Sequence, residues 1–101
     1  MSDLYHTVIV SFECQPEEQD EALGKIGAYV GDFLSKQPGF VESHLSRSLD
    51  GVGIVHYARW ETEANFLALG EKARSHPDLP AIMAHKPTAV RHVSWQSYRP
   101  D

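Results

Sequence analysis

From Tyr5 to Glu13 apolar and polar residues alternate, with Val8, Val10 and Phe12 on one side and Thr7, Ile9 and Ser11 on the other. A period of two predicts a strand. The pattern then changes to Ala22, Leu23, Ile26, Tyr29, Val30, Phe33 and Leu34, the spacing of one helical face. Pro16-Glu17-Glu18 opens that helix, because proline suits the first helical position and acids favour the positive end of the helix dipole. Lys36 and Pro38-Gly39 end it. Phe40 to Leu49 and Val52 to Glu61 predict two further strands around Asp50-Gly51, a pair suited to a two-residue hairpin turn. Thr62 is positioned to cap a second helix that buries Phe66, Leu69, Gly70 and Ala73 and stops at Pro77. Asp78 to Lys86 predicts a short helical turn presenting Leu79, Ile82 and Met83. Thr88 to Tyr98, rich in β-branched and aromatic residues, predicts the last strand.

The predicted order is β-α-β-β-α-β, an α+β chain with one four-stranded sheet. If Asp50-Gly51 are the two turn residues, the register runs back from Leu49 opposite Val52. Val41, Ser43, Leu45 and Arg47 then share a face with Ile54, His56, Ala58 and Trp60. The other face receives Phe40, Glu42, His44 and Ser46 with Val55, Tyr57, Arg59 and Glu61. Glu42 falls opposite Arg59, and His44 opposite Tyr57, both suitable cross-strand pairs. Two helices cover one face of such a sheet. The uncovered face, with Phe40, Val55 and Tyr57, is either solvated or covered by a two-fold copy of the chain, and the reading favours a homodimer.

The 101 residues fit one domain over 1–101, with 42% hydrophobic and 23% charged residues, an ordinary globular balance. A net charge of -5 with nine scattered basic residues argues against a nucleic-acid partner, since phosphate neutralisation needs clustered Lys and Arg. Cys14 is the single cysteine, which excludes an intrachain disulfide and a thiolate metal cluster. At a strand end beside a helix start its pKa could be lowered, although an inert thiol is expected. Met1-Ser2-Asp3-Leu4 has neither a basic nor an apolar leader, and no apolar run is long enough to span a membrane, so a cytoplasmic protein is expected.

Phosphate-cradling loops, nucleotide fingerprints and nucleophile elbows are absent from the sequence. Six histidines are many for this length, and His56, His76 and His85 would have to converge in space to hold a metal; none is expected. Val55 to Thr62 is the most informative stretch. It puts His56 and Trp60 on the helix-facing side with the small Ala58 between them, which leaves room for a flat ligand or else describes plain core. Leu45 shares that side. Arg47 does too, as a counter-charge for an anion or as a solvated residue near the hairpin. Phe66, Ile82 and Met83 would line an apolar pocket or fill the core.

Pro38-Gly39-Phe40, Ser46 to Gly51 and above all Tyr57-Ala58-Arg59-Trp60-Glu61-Thr62-Glu63-Ala64 resemble the antibiotic biosynthesis monooxygenase family. The resemblance runs from the first strand through Tyr98. It implies a ferredoxin-like fold with an antiparallel sheet, paired into a dimeric α/β barrel. In the anthrone-type branch it implies oxygenation without metal or flavin: a substrate carbanion reduces dioxygen, and the protein holds the anion flat and excludes water. Trp60 matches the family tryptophan. His56 stands where a polar asparagine is usual and would serve as general base or anchor. Phe66 stands in place of a tyrosine, and no arginine lies between Ser75 and Val90 to supply the branch's arginine. A second branch binds and degrades haem through a histidine after the second helix. His85 lies at about that place, but that branch's strand-one asparagine is missing and Leu69 replaces its tryptophan. A third reading is a non-catalytic module that holds a hydrophobic metabolite in the same crevice. Within the dimer barrel, His44 and Tyr57 would form either a polar site or interface hydrogen bonds.

Overall fold

A computed structural model describes residues 5–100; the N-terminal tetrapeptide read above for a leader lies outside them. β1 (His6–Glu13) is followed by a 3-10 turn at Pro16–Glu18 and by α1 (Gln19–Asp32), with a second 3-10 turn at Leu34–Lys36. β2 (Phe40–Arg47) and β3 (Gly53–Trp60) form a hairpin. Then come α2 (Glu63–Ala68), α3 (Gly70–Arg74), α4 (Leu79–Met83) and β4 (Thr88–Val93). The sheet order is β2-β3-β1-β4, and every neighbouring pair is antiparallel, the ferredoxin-like arrangement. Among the described residues no helix is long and apolar enough to cross a membrane.

One face of the sheet carries Val8, Phe12, Ile54, Ala58 and Trp60 into a core completed by Ala22, Ile26, Tyr29, Leu34, Leu69 and Ile82. Gln19 is, with His56, a buried polar member of this layer. Its Nε2 donates to the carbonyls of Ser48 and Gly53 at 3.1 and 3.0 Å, tying the start of α1 to the β2–β3 hairpin. Burial raises the pKa of Cys14, whose thiol donates to the Gly51 carbonyl at 3.4 Å; the lowering considered from its position does not occur.

Four sequence expectations need correction. The β2–β3 register holds from Glu42–Arg59 to Arg47–Ile54, but a bulge between Phe40 and Glu42 brings Phe40 opposite Trp60. Phe40 therefore joins the helix-facing side instead of the open one, its ring edge-on to Trp60 at 5.4 Å. Burial of two aromatic rings against each other favours the extra residue. Asp50-Gly51 does not make a two-residue turn either. Asp50 Oδ1 accepts from Ser48 Oγ at 2.6 Å and from the Val52 amide at 3.2 Å. With Gly51 at φ 83°, these bonds close a longer loop, so β2 ends at Arg47 and pairing resumes at Gly53. The second helix is broken at Leu69 into α2 and α3. The last strand stops at Val93, because its ladder partner on β1 runs out at His6, and Trp95 and Tyr98 stand exposed beyond it.

Candidate functional site

β3 lies in the sheet interior, so its helix-facing residues are shut from solvent. His56 sits between Leu45 on β2 and Val10 on β1 and is 5% exposed. Its Nε2 is buried and has no hydrogen-bond partner. Burial disfavours the imidazolium and lowers the pKa from the ordinary 6.5, leaving a neutral ring able to accept a proton. Ala58 and Trp60 continue the same face, both fully buried. The Trp60 ring is held edge-on by Phe40 and by Phe66, the latter at 5.9 Å. Thr62 positions Phe66: its Oγ1 accepts from the Asn65 amide at 3.0 Å and caps α2.

Other sequence candidates separate. Leu45 and Phe66 lie half-buried against the core, and Ile82 is buried within it. Met83 points outward, 54% exposed, and lies outside the core. His76 packs between the rings of Tyr29 and Phe33. His85 lies at the far end of β1, its Nδ1 3.1 Å from the Glu13 carbonyl, a contact that needs the proton on Nδ1. His6, at the other end of β1, is the residue opposite Trp60. Seven residues of strand, about 23 Å, therefore separate the His85 end from the Trp60 end. The His85 ring and the aromatic wall thus sit at opposite ends of β1. Arg47 pairs at 3.5 Å with Asp20 on the surface.

A feature that sequence reading missed lies beside Phe66. An open cleft of about 690 Å³ is lined by His6, Glu63, Ala89, Arg91 and Val93, among others. The His6 ring lies 5.5 Å from Phe66, and the Arg91 guanidinium sits over the same ring at 6.0 Å. Alternation along β4 places Arg91 on the helix-facing side once its pairing with Val8 is known. That topology, absent from the local sequence, was the missing signal.

A model of the antibiotic biosynthesis monooxygenase family matches residues 5–71. The chain belongs to this family. It is 35% identical over 75 residues to a tetracenomycin-F1 monooxygenase of Streptomyces glaucescens, a match that covers 74% of this chain and 66% of that relative. Among solved structures it resembles a monooxygenase from the gene ActVA-Orf6 of Streptomyces coelicolor, in complex with nanaomycin D. The TM-score is 0.76 at 25% identity, over 97% of this chain and 94% of the other. It shares its fold with SnoaB, a cofactor-independent oxygenase from Streptomyces nogalater, at a TM-score of 0.58 and 21% identity, over 99% and 100% of the two chains. In this family member the matched segment ends within α3, so α4, β4 and Arg91 lie outside it.

Proposed function

We propose that this protein is a cofactor-independent monooxygenase that oxidises a small aromatic phenol, anthrone or quinol with dioxygen, working as a homodimer. The observation that carries the reading is the buried, neutral His56 whose Nε2 has no partner inside the protein. A buried polar atom left unmatched costs free energy, and a substrate proton donor supplies the match. His56 takes a proton from the acidic carbon of an anthrone. The carbanion passes one electron to dioxygen, the radical pair combines to a peroxide anion, the His56 imidazolium returns its proton to give the hydroperoxide, and loss of water leaves the quinone. One oxygen atom stays in the product and the other leaves in the water. Trp60 and Ala58 are packed into the core beside His56, and a flat ring gains its space against them only when the covering segment moves. Entry requires the α2–α3 segment to shift: neither helix contributes a buried residue of its own, and Leu69 at their junction is the core residue that holds the segment. The oxygenase names of the relatives support this reading.

Oxygen uptake by chelator-treated protein against anthrones and hydroquinones tests it. Uptake above autoxidation should fall about 10²–10⁴-fold in His56→Ala, the usual contribution of a general base, with the far-ultraviolet circular dichroism unchanged. Undiminished uptake in the variant would remove His56 from the mechanism. No uptake across the panel would leave a metabolite-binding module.

A further inference from the structure

Resting on the oxygenase reading, we propose that Arg91 is the anion-recognition residue of this site. Its guanidinium takes a carboxylate or phenolate oxygen at one end of a fused-ring aromatic whose reacting carbon lies at His56. Arg91 and Ala58 both pair with Val8, from opposite sides, so Arg91 and His56 project from the same face of the sheet. From Arg91 to His56 is two strand spacings across and two residues along, about 12 Å between backbones. A single phenol ring is too short for that span, whereas a fused polycycle reaches across it.

The cleft supplies the remaining chemistry. Arg91 Nη1 lies 3.5 Å from Glu63, and its side chain remains 44% exposed, so most of its five donors stay available. His6 lines the same cleft with an Nε2 that is buried and unpartnered. Phe66 stands between the cleft and the core, 6.0 Å from the guanidinium and 5.9 Å from the Trp60 ring, so an aromatic that reaches from Arg91 to His56 moves Phe66 aside and stacks on the same wall. Glu63 is the counter-charge of Arg91 within the protein. An anion must displace it, and only one that also stacks on the aromatic wall gains enough to do so. The site therefore selects planar acids over small anions.

Binding tests this without turnover. In a Trp95→Phe background Trp60 is the sole tryptophan, and its quenching reports anthraquinone-2-carboxylate against neutral 2-(hydroxymethyl)anthraquinone. The acid should bind roughly tenfold more tightly, the worth of one charge-assisted hydrogen bond. Arg91→Gln should erase that preference, Arg91→Lys should restore part of it, and Glu63→Gln should widen it. No preference in the unsubstituted background, or one that survives in Arg91→Gln, overturns the proposal. His56→Ala should keep the preference. A preference that depends on Arg91 in a protein without oxygen uptake supports the anion site and discards only the oxygenase reading. Uptake that depends on His56, with no effect of Arg91 on binding, does the reverse.

Discussion

β3 and β4 flank the same central strand and turn residues toward the same helices, yet they meet opposite environments. Ile54, His56, Ala58 and Trp60 on β3 are at most 5% exposed, while every residue of β4 is exposed. An interior strand beneath α1 has its side chains fixed by packing, and each atom there contributes to stability. The edge strand, beside the short α2, lacks that cover and is free to hold Arg91 and a cleft. Trp60→Ala should therefore cost about 3–5 kcal/mol, as large core truncations do. Val93→Ala, at the edge, should stay within about 0.5 kcal/mol. Urea unfolding checks both. Similar costs would break the comparison and mean that β4 is covered in solution, for instance by a second copy.

Next in size is the junction that aims Phe40 at Trp60. Gly39 has φ 85°, and a Cβ there would run into the Asn65 side chain, while its carbonyl accepts from the Glu61 amide at 2.7 Å. Gly39→Ala should cost about 1–3 kcal/mol through strain at this backbone position. It should also perturb the near-ultraviolet signal of Trp60. An unchanged spectrum with unchanged stability would show that the bulge does not depend on this glycine.

These two sites also mark how far the sequence could be read. Strand and helix order followed from periodicity, and pairing Glu42 with Arg59 came from counting back from the hairpin. The count survived a wrong turn type because the longer loop is closed by the Ser48 amide on the Gly53 carbonyl at 2.9 Å, one residue further out on each side than the expected turn. It failed at Phe40, since a bulge is chosen by an aromatic contact from across the sheet that no local pattern reveals. His56, Ala58 and Trp60 were legible because alternation alone fixes their common face. Arg91 was not, because its partners Glu63, His6 and Phe66 come from elements brought together only by the fold.

A smaller effect is expected with pH. Burial lowers the His56 pKa in the folded state, so the unfolded chain takes up the proton first as pH falls. The stability contributed by neutral His56 is complete above the ordinary value near 6.5. It is lost between that value and the depressed folded pKa. Thermal midpoints should fall through this window on acidification, and less steeply in His56→Leu. The same protonation removes the proposed base, so the acid limb of oxygen uptake should lie below 6.5. A limb above 6.5 would contradict a buried, neutral His56.

The smallest effect tests the other face of the sheet. Arg59 reaches Glu42 at 3.1 Å and donates from Nε to the Tyr57 hydroxyl at 3.2 Å, with the two charged side chains one-third and nearly one-half exposed. In a solvated pair a Glu42→Gln, Arg59→Gln double-mutant cycle should yield about 0.2–1 kcal/mol, reduced by salt. The open face also carries Val55 and Val90, both exposed. A second copy laid on it would exclude water from the pair and strengthen its coupling. The coupling would then grow with protein concentration and resist salt, whereas a solvated face would give one small value at every dilution. That concentration dependence separates a strand face left bare from one that is covered only in the dimer.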